Sequence, residues 1–130
     1  ESVTVDSDRR HASADIDDVT TMLLRFKSGE TGYLATLMST GPYWRMQVFG
    51  SKGWIELRSP NELLVAGVDG NAESQNFDHI DWQRMELENF ADAITGSKPF
   101  YIKPEQALHG VSVMNAIMAS IENGSRVSVD

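Results

Sequence analysis

Through the first half of the chain, apolar residues alternate with polar ones or gather in short β-branched runs; beyond residue 80 they recur every three or four positions. Residues 19–26 (Val-Thr-Thr-Met-Leu-Leu-Arg-Phe) form such a run, and Lys27-Ser28-Gly29-Glu30 closes it with a glycine suited to the positive φ of a hairpin turn. The pattern predicts a return strand over 33–38, a break at Ser39-Thr40-Gly41-Pro42, and a strand over 43–49. Gly50-Ser51-Lys52-Gly53 then turns the chain into a strand over 54–58, and 62–66 makes a short last one. Residues 2–6 are expected to pair at an edge, with Val3 and Val5 on one side. Residues 11–18 read as a polar loop, as does the stretch after Gly67 as far as Gln75.

Two helices follow. Met85, Leu87, Phe90, Ala91 and Ile94 mark the first, with Asp81 as N-cap and Gly96 as stop. The second has Pro104 at its first position, Glu105 beside the positive end of the dipole, a body running to Glu122 and Gly124 at its C-terminal cap. Val127 and Val129 end the chain as a strand fragment. The sum is an α+β domain: a mostly antiparallel open sheet of about six strands with helices on one face.

Alternation assigns the faces. Met22, Leu24, Phe26, Met46, Val48, Ile55 and Leu57 form one expected to lie under helices. The opposite face carries Leu23, Tyr33, Leu37, Tyr43, Phe49 and Trp54 among Arg25, Arg45, Gln47, Glu56 and Arg58. Aromatics mixed with arginine suit an interface better than a wetted surface, so Tyr33, Leu37, Arg45, Phe49 and Trp54 are the candidate homo-oligomer face. In the long helix, no charged residue occurs between Gln106 and Ile121. Its stripe of Ala107, Val111, Met114, Met118 and Ile121 is expected to face the sheet, and its small-residue back (His109, Ser112, Val113, Ala116, Ser120) to meet either a body outside this chain or the loop over 67–80.

At 130 residues and 41% hydrophobic content, one core and one domain over 1–130 are expected. Eleven Lys and Arg stand against 19 Asp and Glu; the net charge of −8 disfavours nucleic acid and anionic membranes as partners. Without cysteine there is no disulfide framework, thiolate metal site or thiol nucleophile. No apolar run approaches the ~20 residues of a membrane span and no signal peptide opens the chain, so a cytoplasmic location is expected. His11, His79 and His109 lack ligand spacing, Asp15-Ile16-Asp17-Asp18 lacks the glycine and distal glutamate of a calcium loop, and no Gly-x-Ser-x-Gly elbow occurs. Neither Gly50-x-x-Gly53 nor Gly67-x-x-Gly70 has dinucleotide-binding spacing. The residues thus present no metal site, cofactor site or catalytic set of their own.

Several segments, in order, carry a resemblance: Asp18-Val19 leading to Leu24-Arg25-Phe26-Lys27-Ser28-Gly29; Met46 to Glu56 (Met-Gln-Val-Phe-Gly-Ser-Lys-Gly-Trp-Ile-Glu); Leu87-Glu88-Asn89-Phe90-Ala91-Asp92-Ala93-Ile94 with Gly96; and Ala116 to Ser120 with Gly124 and Val127. Together they resemble the C-terminal domain of the glucose-fructose oxidoreductase, inositol dehydrogenase and rhizopine-catabolism family (Gfo/Idh/MocA). The resemblance implies a two-domain parent whose N-terminal Rossmann domain, absent here, binds NAD or NADP. This domain would then shape a pocket for a sugar, polyol or related hydroxy compound and mediate dimer or tetramer contacts. It further implies that the catalytic residues lie upstream. Lys98-Pro99 and Lys103-Pro104 lack the glutamate of the family's Glu-Lys-Pro motif, and Ser7 stands where an Asp would have to precede His11. The fragment alone is therefore expected to hold no cofactor and catalyse nothing, because hydride transfer needs the nicotinamide held against the substrate carbon. The family's loop into the strand ending at Gly50 lies near substrate, which points to Tyr43, Trp44 and Arg45 as substrate-proximal residues; tyrosine and arginine can hydrogen-bond hydroxyls and tryptophan can stack on a sugar face. A stand-alone ligand-binding or protein-interaction module remains the alternative.

Overall fold

The computed structural model describes residues 1–129. The chain forms eight strands and two helices: β1 Ser2–Asp8, β2 Val19–Arg25, β3 Thr31–Leu37, β4 Met46–Gly50, β5 Gly53–Ser59, β6 Glu62–Gly67, β7 Ala72–Asn76, α1 Trp82–Thr95, α2 Pro104–Asn123 and β8 Val127–Ser128. The class is the expected antiparallel α+β. The strands divide, however, between two four-stranded sheets, β3-β2-β1-β8 and β4-β5-β6-β7. The break falls at 38–45, where Ser39 to Pro42 interrupt the strand pattern. Two compact units result, one made of residues 1–40 with 100 onward, the other of residues 41–99.

In the first unit the β2–β3 hairpin turns through Gly29 at φ 106°, a conformation that glycine adopts without a Cβ penalty. β1 is an interior strand rather than the expected edge, pairing with β2 over seven residues and with β8 at Ser2 and Val3. Helix α2 lies on the face carrying Val3, Val5, Met22 and Leu24, and Ala116, Ile117 and Ile121 complete that core with Val127 and Val129. Met22 and Leu24 are thus core residues, as alternation indicated.

The orientation of α2 reverses the expected one. Ala116 and Ser120 are buried against the sheet, whereas Val111, Met114 and Met118 stand exposed, joined by Leu108; of the expected stripe only Ile121 reaches the core. The small side chains let the helix come close to β1, and the gain is a hydrogen bond as well as contact. β8 ends before it can reach Val5, whose N–H instead donates to Ser120 Oγ at 2.9 Å. That hydroxyl donates in turn to the Ser125 carbonyl at 2.7 Å. A buried N–H at an incomplete sheet edge is costly, and serine satisfies it where a larger apolar residue could not.

In the second unit β4, β5 and β6 form a meander, and β7 adds an edge strand where a loop was expected. Its sequence, Ala-Glu-Ser-Gln-Asn, has no β-branched residue to announce it, because all five positions are exposed. The β4–β5 turn requires Gly53: φ is 135°, and a Cβ there would sit 2.0 Å from the Ala66 carbonyl oxygen. Met46, Val48, Ile55, Leu57, Leu63 and Val65 share one face of this sheet by register. Met46, Val48 and Ile55 are exposed, not helix-covered as expected, because among the described residues α1 packs on none of these strands. Helix α1 begins and ends where the sequence placed it. Asp81 caps Arg84 N–H at 3.0 Å, and Gly96 closes it in the left-handed conformation.

Candidate functional site

A surface cleft of about 880 Å3 opens in the second unit. Pro42, Tyr43, Trp44 and Arg45, the segment leading into β4, form one part of its wall. The C-terminal end of β5 and the following turn (Arg58, Ser59, Pro60) form another, and Trp82, the first residue of α1, completes it. All three residues named as substrate-proximal therefore line one cavity. They precede β4 rather than belonging to it: Gly41 and Pro42 delay the strand, so pairing starts at Met46.

Irregular β pairing builds the polar side of the cleft. The β5–β6 register shifts between Leu57 and Ser59, leaving Arg58 in a bulge. A bulge frees backbone groups from the ladder and redirects a side chain. Here the Arg58 carbonyl accepts from Arg45 Nη1 at 2.9 Å; the same nitrogen donates to the Trp44 carbonyl at 3.0 Å. The Arg45 guanidinium also lies 5.0 Å from the Tyr43 ring centroid, within cation–π range.

Beneath the two arginines sits Glu56, whose side chain is only 13% exposed. It accepts from Arg58 Nε at 2.8 Å and from Gln47, its cross-strand partner, at 2.5 Å; Arg45 Nε lies 3.5 Å away. The Arg58 hydrogen bond, followed by that from Gln47, holds the Glu56 carboxyl below its ordinary range against the opposing effect of desolvation. The same bond raises Arg58, with the charge of Glu62 adding to it. Both arginines are thus positioned, charged donors. Arg45 Nη2 and the two terminal nitrogens of Arg58 have no hydrogen-bond partner among the described residues.

Of the residues expected at an oligomer face, Tyr33 (73% exposed), Leu37 and Phe49 (72%) are open to solvent. Tyr33 and Leu37 share the face of the first sheet opposite α2, across from Leu23 and Val19. Phe49 pairs with Trp54, which is half-buried, on one face of the second sheet. Arg45 is committed to the cleft network just described. Arg58 and Trp82 went unrecognised as cleft residues. Arg58 was legible in part, since strand alternation aligns it with Arg45 and Glu56, but the bulge that frees it was not. Trp82 reaches the cleft through tertiary placement that local pattern does not encode.

A separate polar centre stabilises the first unit. Asp18, 2% exposed, accepts from the backbone N–H groups of Arg10, His11 and Ala12, each at 2.7 Å, and from Ser39 Oγ at 3.0 Å. The Arg10 bond leads in driving its carboxyl far below the ordinary range, against desolvation and with help from His11, Ser39 and Ala12. With every strong donor around it spent on loop geometry, Asp18 is a structural clamp. Elsewhere His109 pairs with Glu1 at 2.9 Å and Lys98 with Asp92 at 3.2 Å, while Lys103 occupies the N-cap of α2. Among the described residues no three His, Cys, Asp or Glu side chains cluster as metal ligands, and no helix is long and apolar enough to cross a membrane.

Comparison with known proteins adds the following. The family model GFO_IDH_MocA_C, described as the C-terminal alpha/beta domain of an oxidoreductase family, matches residues 2–129. The oxidoreductase ORF334 of Rhizobium meliloti is 26% identical over 122 residues, covering 85% of this chain and 36% of its own. Among solved structures, the aldose-aldose oxidoreductase from Caulobacter crescentus, complexed with glycerol, superposes with a TM-score of 0.80 at 18% identity, covering 98% of this chain and 40% of that one. An oxidoreductase from Agrobacterium radiobacter, in complex with NAD+, L-tartaric acid and magnesium, gives 0.80 at 18% identity, covering 98% and 43%. The chain spans about two fifths of the length of these relatives.

Proposed function

The chain belongs to the Gfo/Idh/MocA oxidoreductase family through its C-terminal α/β domain, and on that footing we propose that it is the substrate-pocket and oligomerisation domain of an NAD- or NADP-dependent dehydrogenase acting on a sugar, polyol or related hydroxy compound. The observation that carries this reading is the cleft: three aromatic rings, two ordered guanidinium groups and a turn hydroxyl converge in one cavity. Rings that can stack on the face of a pyranose, beside donors that can reach its hydroxyls, are what polyhydroxylated ligands require. Tyr43, Trp44 and Arg45 form part of the pocket wall. The nicotinamide cofactor belongs to an N-terminal Rossmann domain in the parent and the acid–base residues to parts of the parent outside this chain, consistent with relatives more than twice as long. The C. crescentus relative with glycerol and the A. radiobacter relative with NAD+ support the ligand and cofactor classes. In this reading the domain on its own is inactive and binds no dinucleotide, because it positions substrate without holding the hydride carrier. In this reading the parent acts in the cytoplasm.

Oligomer contacts are proposed on two faces, one carrying Tyr33 and Leu37 on the first sheet and one carrying Phe49 and Trp54, with Arg45, in the second unit, and the exposure of Tyr33, Leu37 and Phe49 supports them. Expressing the full-length parent and titrating it with NADH and NADPH tests the enzyme reading, followed by a screen of sugars and polyols for nucleotide reduction. Saturable nucleotide binding with turnover of a hydroxy substrate is expected. A parent that binds neither nucleotide overturns the reading and leaves a ligand-binding or interaction module.

A further inference from the structure

Resting on the pocket reading above, we propose that this cleft selects a ligand bearing a carboxylate, a sugar acid or polyol acid, and that Arg58 is the residue that recognises the acidic group. In a chain of net charge −8, the charged residues of the cleft wall are both cationic, Arg45 and Arg58. Their counter-ion, Glu56, lies beneath them outside the wall, with its carboxylate occupied by Arg58 Nε and Gln47. One carboxylate shared between two guanidiniums leaves one uncompensated positive charge, which Glu62 tempers only at longer range.

The two arginines differ in what they have left to offer. Arg45 spends Nη1 on two backbone carbonyls and lies against Tyr43, an arrangement that fixes it in place. Arg58 is held through Nε alone, so both terminal nitrogens remain as a planar fork matched to the two oxygens of a carboxylate. A single residual charge favours a monoanion over a phosphate dianion. Tyr43, Trp44 and Trp82 supply the apolar rings against which the rest of such a ligand would stack.

Three probes on the full-length parent test this: D-glucuronate, D-glucose, and D-glucose 6-phosphate, each titrated by calorimetry. Glucuronate is expected to bind at least about tenfold more tightly than glucose and than the phosphate, the worth of one charge-assisted hydrogen-bonded pair. Arg58→Gln is expected to reduce the glucuronate-to-glucose preference to near unity, weakening glucuronate far more than glucose. Arg58→Lys keeps the charge and the partner of Glu56 but loses the fork, and is expected to retain only part of the preference; it serves if the glutamine variant fails to fold. Equal binding of glucuronate and glucose, a preference untouched in both variants, or tightest binding of the phosphate overturns the carboxylate assignment. Trp44→Ala and Trp82→Ala separate the two levels of the proposal: weakening of all three probes retains the pocket wall, whereas unchanged binding of all three removes the wall and the carboxylate assignment together.

Discussion

Replacing Ser120 with alanine removes one oxygen atom from a residue with no exposed surface, and its consequence follows from the end of β8. In the native chain that oxygen accepts from Val5 N–H and donates to the Ser125 carbonyl. After the change, the Val5 N–H is left buried beside a methyl group. An unsatisfied buried donor costs about 2 kcal/mol, while the Ser125 carbonyl, on an exposed residue, can turn to water. Alanine returns about 0.5 kcal/mol through its higher helix propensity. The net loss is about 1.5 kcal/mol. Given an unfolding entropy of about 0.27 kcal/mol/K for a chain of this length, the melting temperature should fall by about 5 °C. Thermal unfolding followed by far-ultraviolet circular dichroism measures the fall, and amide hydrogen exchange locates it, since Val5 should lose protection ahead of its neighbours on β1. Ser51→Ala, in the exposed β4–β5 turn, should change the midpoint by less than 1 °C. A Ser120→Ala midpoint equally unchanged, with Val5 still protected, would refute the idea that α2 completes the edge of β1.

Acid should weaken the first unit through Asp18. Its folded pKa is depressed, so its contribution is complete above the unfolded value of about 3.9 and is lost as pH falls below about 4 toward the folded value. Circular dichroism across pH 6 to 2 should show Asp18→Asn less stable than wild type at pH 6 and the two converging at low pH; parallel curves would contradict the clamp. Gly53→Ala should destabilise by about 2 kcal/mol or more, through the overlap with the Ala66 carbonyl and the positive φ, whereas Gly50→Ala, whose Cβ has 3.9 Å of clearance, should be tolerated. Urea titrations of the two variants decide this, and equal midpoints would exclude the steric account. Tyr33→Glu combined with Phe49→Glu should convert the parent to monomers in sedimentation velocity, and folded double variants that keep the parental mass would remove both proposed oligomer faces.

Local chemistry explains which features were legible beforehand. Both helices carry their own boundaries in Asp81, Gly96, Pro104 and Gly124, and the hairpin at Gly29 and the turn at Gly53 need conformations that only glycine takes readily. Alternation placed Met22 and Leu24 in the core for the same reason: a period of two survives any arrangement of sheets. What failed depends on neighbours distant in sequence. The apolar stripe of α2 reads as its buried face, but the small-residue side packs on the sheet, where Ser120 accepts from Val5 N–H beyond the end of β8, and Met114 and Met118 stand exposed. β7 is held by pairing with β6, with no apolar periodicity of its own. At the cleft, Tyr43, Trp44 and Arg45 were accessible through a resemblance, whereas Arg58 depended on a bulge and Trp82 on the placement of a helix start.

The clamp at Asp18 also bears on how the segment around residues 10–12 can change over evolutionary time. Three consecutive main-chain amides, joined by the single side chain of Ser39, satisfy that carboxylate. Arg10, His11 and Ala12 are therefore interchangeable with almost any other residues, provided each keeps its N–H. Proline is the exception, since it has no amide hydrogen to give. Orthologues should drift freely in identity through this loop while excluding proline from all three positions, and its surface is open to carry whatever new specificity the parent acquires.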